Sequence, residues 1–364
     1  MNQAPMNQQS MLADLRELVT CESFSADLDA VARSAELVAA QGTRLLGTAP
    51  DAIVIDGVTH LLWGRETPVV LIVGHHDTVW PLGSLASHPW TVSDGIARGP
   101  GIFDMKAGLV QTFHALAGLP SLDGVAVLIT GDEEVGSLTS RVLIEELARR
   151  STAALVLEAS ADGGALKTGR KGTSGYEIVV HGRAAHSGLE PEKGINAAVE
   201  IAHQILAMER IQERAGAGTT VTPTLLAAGS SSNTVPAQAR LSVDVRVPTV
   251  AAQQRVDELM RGLTAIVPGA RLEIEGGPNR PPLDPASSAR LFELARSLSP
   301  GLRGVTVGGA SDGNFTAGVG CPTLDGLGAV GGGAHADDEH IVISELVPRT
   351  ELLAALIGAL LSRG

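Results

Sequence analysis

The chain has 364 residues, more than one ordinary core accommodates, which predicts two domains. Hydrophobic residues make up 44% and charged residues 18%, which excludes a disordered chain, and with aromatics at 2% the core must be filled by Leu, Val, Ile and Ala. A formal net charge of −13 excludes nucleic acid as a partner, because that needs a basic footprint, and equally excludes an anionic membrane surface.

The first ten residues are polar, with no basic n-region or apolar h-region, so no secretory signal is expected there. Leu, Val and Ala at helical spacing predict helices over residues 11–19 and 28–46. Val69-Val70-Leu71-Ile72-Val73 is a continuous apolar run that ends in Gly74-His75-His76-Asp77-Thr78-Val79. Gly99-Pro100-Gly101-Ile102-Phe103-Asp104-Met105-Lys106 is a glycine-punctuated loop leading into a helical pattern over 105–118. A second apolar run, 125–130, ends in Asp132-Glu133-Glu134-Val135-Gly136-Ser137, with a helix expected over 138–150. A third, 154–157, ends in Glu158. Such runs suit strands buried on both faces of a largely parallel sheet, and the strand–helix alternation predicts an α/β domain with helices on both faces. Sites in these folds gather beyond the carboxyl ends of the strands, where all three runs place their polar residues.

The pattern changes near Gly172. Residues 176–182 alternate like a half-exposed strand, 194–214 read as an amphipathic helix, 219–228 and 237–248 as further strands, and 251–266 as a second helix. Two helices on an antiparallel sheet predict a compact inserted α+β domain over 172–281, splitting the first domain into 1–171 and 282–364. Gly331-Gly332-Gly333 marks a turn before Ala334-His335-Ala336-Asp337. The two cysteines, Cys21 and Cys321, lie far apart and predict free thiols in a reducing compartment rather than a disulfide framework. No run approaches the ~18 apolar residues of a membrane span, so a cytoplasmic protein is expected.

The polar residues at these strand ends and loops supply two His and three carboxylates, enough for two zinc ions sharing one carboxylate, and hence for metal-assisted hydrolysis. Residues i and i+2 of a strand face the same way, so Asp77 is placed to accept a hydrogen bond from the His75 imidazole and fix its tautomer, while His76 faces the opposite side. An Asp at 104 could equally cap the following helix; that role competes with bridging two metals, which needs both carboxylate oxygens. Three acids directly after a buried strand make a poor solvated turn; one Glu suits a metal while its neighbour projects toward the bound water. Glu158 beyond an apolar strand would be costly to bury unpaired, and a metal is the cheaper partner. Two dications are balanced by three carboxylates and one hydroxide, so the set is neutral. Cobalt or manganese suits the same N/O ligands.

In order and spacing these motifs resemble the co-catalytic di-zinc peptidases and deacylases: glutamate carboxypeptidases, aminoacylases, acetylornithine deacetylases and succinyl-diaminopimelate desuccinylases. The resemblance covers nearly the whole chain. It is closest to the glutamate carboxypeptidase branch, through His75-His76-Asp77-Thr78-Val79-Trp80, Gly99-Pro100-Gly101 and Gly308-Gly309-Ala310-Ser311-Asp312. It implies that His75 and Glu158 bind one zinc, Glu134 and His335 the other, and Asp104 bridges, with the peptide bond after Asp104 usually cis. Asp77 would orient His75, and Glu133 would be the general base. His181-Gly182-Arg183-Ala184-Ala185-His186-Ser187-Gly188 resembles the family's lid motif, which implies that His186 reaches the partner subunit's site of a homodimer. Asn233, in the 229–236 segment, and Gly309 would meet the substrate, and Arg280 would grip its carboxylate, a task suited to a guanidinium fork. The implied activity is zinc-dependent hydrolysis of an amide next to a free carboxylate, on a small peptide or N-acyl amino acid. C-terminal glutamate release is the first expectation; an N-acyl-amino-acid deacylase or dipeptidase is the alternative. A catalytically silent dimeric binding protein on the same fold stays open as a different class.

Overall fold

The computed structural model describes residues 6–64 and 67–362. They fall into two compact units: one holds the described residues up to Gly169 with 283–307 and 311 onward, the other Arg170–Pro282 with Gly308–Ala310. In chain order the first unit begins with α1 (Gln8–Thr20), α2 (Leu28–Leu46), β1 (Asp51–Ile55), β2 (Val58–Trp63) and β3 (Val70–His75). It continues through β4 (Thr91–Ser93), β5 (Ile96–Arg98), α3 (Ala107–Ala117), β6 (Val125–Thr130), α4 (Arg141–Arg150), β7 (Ala153–Val156) and β8 (Leu166–Arg170).

The second unit contains β9 (Gly172–His181), α5 (Ala197–Ala215), β10 (Thr220–Ala228), β11 (Gln238–Val247), α6 (Val250–Arg261) and β12 (Arg271–Arg280). The first then resumes with α7 (Pro285–Leu298), β13 (Gly304–Val307), α8 (Gly313–Gly318), β14 (Thr323–Leu324), β15 (Gly331–Gly332), β16 (His340–Val342) and α9 (Leu346–Leu361).

The main sheet of the first unit has strand order β1-β2-β6-β3-β7-β14. β6, β3, β7 and β14 run parallel, and the β1–β2 hairpin adds an antiparallel edge. Every residue of β3 is buried because both faces are covered. Val70 and Ile72 pack in the core shared with α1, α2, α3 and α9, while Leu71 and Val73 point the other way, onto Ile144 and Leu147 of α4 and Phe315 of α8. Continuous apolar runs therefore mark the strands, and the imidazole and acidic residues that follow them emerge at the carboxyl ends.

The second unit is an antiparallel sheet of order β10-β11-β9-β12 with α5 and α6 against it. Tyr176, Ile178 and Val180 alternate inward from β9 and meet Ile201, Met208 and Ile211 of α5 and Val256 and Met260 of α6. Its fourth strand, β12, has no counterpart among the predicted strands. Arg271, Glu273 and Glu275 occupy one face of this edge strand, and a register shift between Pro278 and Arg280 ends it, so the apolar alternation is short. Among the described residues no helix is long and apolar enough to cross a membrane.

Candidate functional site

Three strand ends and two loops of the first unit converge. His75 is the last residue of β3, Glu133 and Glu134 lie in a tight turn after β6, and Glu158 follows β7. Asp104 comes from the loop before α3 and His335 from the turn after β15. His75 Nε2 stands 3.3 Å from Asp104 Oδ1 and 3.5 Å from Glu158 Oε1. His335 Nε2 stands 3.3 Å from both Asp104 Oδ2 and Glu134 Oε2. Asp104 thus offers one oxygen to each of two ligand groups, His75–Asp104–Glu158 and Asp104–Glu134–His335.

These groups fit divalent cations. His75 Nε2, Asp104 Oδ1 and Glu134 Oε1 are buried with no hydrogen-bond partner, an arrangement costly without a cation between them. The donors are imidazole nitrogens and carboxylate oxygens, which suit zinc, cobalt or manganese. The titration behaviour has the same origin. Burial pulls the His75 pKa down, but Asp104, Asp77 and Glu158 outweigh it and hold the imidazole well above its ordinary range. Asp104 and Glu134 push His335 up to about 10. Burial, with the Asp104 charge added, raises Glu134.

Asp104 is not a helix cap. Its backbone (φ −117°, ψ 95°) is non-helical, the Asp104–Met105 peptide is cis, and α3 begins at Ala107 without a side-chain cap. Gly101, at φ 69°, makes the turn into this segment, and a side chain there would strike Thr78.

Asp77 works differently from the simple His–carboxylate pair expected. The nearest acceptor for His75 Nδ1 is the Asp77 carbonyl, at 3.0 Å, with Asp77 Oδ1 farther at 3.4 Å. The carboxylate mainly holds the acidic turn: Oδ1 accepts from Glu133 N at 3.2 Å, and Oδ2 from Glu134 N at 3.2 Å and Ser25 Oγ at 2.7 Å. Asp77 lies two residues beyond the end of β3, and its main-chain carbonyl is the nearer acceptor for the ring. Asp132 fastens the same turn from behind by accepting from Thr139 N, Thr139 Oγ1, Ser140 N and Ser140 Oγ. His76 faces away and its Nε2 meets Thr59 O at 3.1 Å.

Glu339 escaped sequence reading. It looks like the end of a solvated Asp337-Asp338-Glu339 run, yet it is only 3% exposed. Its Oε1 accepts from Phe103 N (2.8 Å) and Asp104 N (3.0 Å), and its Oε2 from Gly101 N (2.9 Å) and Trp80 Nε1 (2.7 Å). It therefore binds the loop carrying Asp104 to the loop carrying His335. Trp80, directly after the first His motif, was the only hint.

His186, Asn233, Arg280 and Gly309 belong to the second unit. His186 Nδ1 accepts from Gly188 N (3.1 Å) and Leu189 N (3.2 Å), which leaves the proton on Nε2 as a donor. Ser187 N donates to Asn233 O at 2.9 Å, so His186 and Asn233 sit together beyond the His181 end of β9. Arg280 pairs with Thr173 at the opposite end of that strand, and Gly309 O accepts from Arg170 Nη1 at 3.1 Å near the same end. From Thr173 to His181 is roughly 26 Å of strand at ~3.3 Å per residue. One chain brings His186 to Asn233 and does not bring either to Arg280.

The family model described as Peptidase family M20/M25/M40 matches residues 71–359. Carboxypeptidase G2 of Pseudomonas sp. (strain RS-16) is 30% identical over 369 residues, spanning 96% of this chain and 88% of that protein. The succinyl-diaminopimelate desuccinylase of Granulibacter bethesdensis is 27% identical over 390 residues, spanning 97% of this chain and 98% of that protein. Among solved structures, a tripeptidase from Staphylococcus aureus aligns with a TM-score of 0.73 at 21% identity, over 98% of this chain and 99% of that one. An M20 family metallo-carboxypeptidase from Sulfolobus solfataricus aligns at 0.71 and 18% identity, over 96% and 99%. These structural likenesses concern the fold.

Proposed function

The chain belongs to peptidase family M20/M25/M40 and is a hydrolytic enzyme, and from that premise we propose that it cleaves the amide bond next to a free carboxylate, releasing a C-terminal amino acid. The observation that carries this reading is the pair of ligand groups sharing Asp104. Two zinc ions would be held by His75 and Glu158 on one side and Glu134 and His335 on the other, with cobalt or manganese as substitutes. When bound, they supply Lewis-acid polarisation of the scissile carbonyl and of the attacking water.

The chain's own groups do the rest. The Asp77 carbonyl holds the proton on His75 Nδ1 and leaves Nε2 as the ligand. Glu133, in the turn pinned by Asp77, takes the proton of the attacking water and passes it to the leaving amine nitrogen. His186 donates from Nε2 to the developing oxyanion. Arg280 and Asn233 hold the substrate carboxylate, with Gly309 beside it. An amino-acid substrate cannot span the strand that separates Arg280 from His186 and Asn233 in one chain. That separation favours a homodimer in which a second copy contributes His186 and Asn233. A cytoplasmic setting fits free Cys21 and Cys321.

N-acyl-amino-acid deacylation is a second reading, favoured by the similarity to desuccinylases. Mass-spectrometric product release from zinc-loaded protein, with a chelated control, tests both. The panel holds N-acyl amino acids, dipeptides and a folate-type glutamate conjugate. Chelator-sensitive release of a C-terminal amino acid is expected. Release only from short acyl donors selects the deacylase, and no release from any substrate overturns the proposal.

A further inference from the structure

Two residues that the chemistry above leaves without a role meet inside the first unit. Asp312 closes the glycine-rich segment 308–312, and Ser137 closes the acidic turn that carries Glu133 and Glu134. Ser137 is fully buried and sits at φ 56°, in the left-handed region where glycine is the ordinary choice. Its amide shuts the turn by donating to Asp132 O at 2.8 Å, and its hydroxyl donates to Asp312 Oδ1. The other oxygen of Asp312, Oδ2, accepts from Thr130 Oγ1 at 3.2 Å, and Thr130 is the last residue of β6. One buried carboxylate therefore grips the chain before the turn and again after it. Asp77 holds the amides of Glu133 and Glu134 in between.

Asp312 is itself fixed. Ser311 N donates to Asn314 Oδ1 at 2.9 Å, and Ser311 Oγ to Asp325 Oδ2 at 2.6 Å. The Asp312 carbonyl accepts from Phe315 N at 3.0 Å. The Arg141 guanidinium lies over the Phe315 ring, 5.0 Å from its centre, which joins α8 to the first residue of α4. A support tied on its far side in this way sets the position of the turn instead of following it. Packing alone does not account for Ser137. Glycine would adopt φ 56° without strain, whereas serine keeps a hydroxyl that reaches Asp312.

Resting on the reading that Glu133 takes the proton of the attacking water, we propose that Asp312 is a positioning residue for Glu133. By holding Thr130 and Ser137 it fixes both ends of the turn, and with them the reach of the Glu133 carboxylate. Asp312 belongs to neither candidate ligand group, so it acts through the turn. Placement matters here because a shift of about 1 Å in a reacting group can cost about 100-fold in rate.

The test measures kcat and KM on zinc-loaded protein, using whichever substrate of the panel turns over fastest. In Asp312→Ala, kcat is expected to fall about 10–100-fold with KM little changed and zinc content as in the wild type. Asp312→Asn should recover part of the loss, because its amide oxygen accepts from one hydroxyl while its NH2 donates to the other. Ser137→Ala removes one of the two bonds and should lose less; it carries the test if Asp312→Ala does not fold. The double variant Ser137→Ala/Asp312→Ala should be little slower than Asp312→Ala alone, since both changes break the same bond. Unchanged kcat, or a loss seen in KM alone, overturns the inference and leaves the peptidase reading intact. A fall in activity that merely follows zinc content moves the effect to Glu134 and also overturns it. Hydrogen–deuterium exchange tests the placement without turnover: amides 132–137 should exchange faster in Asp312→Ala and Ser137→Ala, while β3 and β7 keep wild-type protection. Faster exchange throughout the unit marks general destabilisation and sinks the inference. If the wild-type protein turns over no substrate, the peptidase reading fails by itself, and the exchange result decides whether Asp312 positions the Glu133 turn.

Discussion

Glu339→Gln removes one carboxylate oxygen from a residue that touches no candidate metal position, and it should still weaken metal binding. In the native chain the two oxygens accept four hydrogen bonds, from the amides of Gly101, Phe103 and Asp104 and from the Trp80 indole. The variant's amide oxygen can keep one pair of donors. Its NH2 then faces the other pair, donor against donor, in a site that excludes water. Hydrogen bonds to a charged acceptor contribute ~1.5–3 kcal/mol each, and a buried donor left unmatched costs ~1–3 kcal/mol. Because the losses are coupled, about 2–3 kcal/mol is expected, or roughly 5–10 °C in Tm for a unit of this size. The loop that moves carries Asp104, which serves both ligand groups, so zinc affinity should fall by about 10–100-fold, the range for groups that orient ligands. Calorimetric unfolding and chelator competition measure the two effects, and Trp80 fluorescence reports the altered contact. Glu339→Gln with wild-type Tm and wild-type zinc affinity would refute the reasoning. A lowered Tm with unchanged affinity would reduce Glu339 to a structural tie.

Two further predictions concern proton transfer and pH. Glu133→Gln should keep both metals and lose turnover, and His186→Ala should do likewise; mixing the two inactive proteins with verified subunit exchange should restore part of the activity, and no recovery would count against a shared site. Burial holds His76 at about 4, below its ordinary 6.5. The unfolded chain therefore takes up the proton first as pH falls, and stability drops between pH 6.5 and about 4, by up to about 3 kcal/mol. His76→Gln should flatten that part of the urea-midpoint profile, and parallel curves for the two proteins would dismiss the account.

The strands that carry ligands were legible because burial on both faces makes their sequences continuously apolar, as in 125–130, and because each ends in an acid or imidazole. β12 was not legible: an edge strand needs only one apolar face, and Gly276, Gly277 and Pro278 interrupt it. Candidate ligands could be proposed because few side chain types bind metal, and the fold brings the five proposed residues into two groups that could hold one. The residues behind them could not, because a buried carboxylate accepting amides looks in sequence like any surface acid. Glu339 and Asp132 show this; each is fixed by partners whose identity depends on the folded loop. Asp77 was half legible. Its spacing from His75 gave the pairing, but the contact falls on its carbonyl, and the carboxylate's hold on the 133–134 turn spans 56 residues in sequence.

Those supporting carboxylates share a design with consequences for the charge of the site. Asp77, Asp132 and Glu339 take their hydrogen bonds from amides, hydroxyls and one indole. Dipoles of this kind meet the hydrogen-bonding demand of a buried carboxylate without cancelling its charge. A lysine or arginine in the same places would have neutralised the support and lowered the attraction of the ligand groups for cations. With dipoles instead, the negative potential of Asp104, Glu134 and Glu158 is reinforced from behind, and the raised pKa of His335, set by Asp104 and Glu134, shows how strongly positive charge is drawn there. Metal affinity in this unit would therefore depend on the backbone geometry of three loops as much as on the five candidate ligand side chains. A glutamate outside both candidate ligand groups, Glu339, is for that reason the substitution most informative about them.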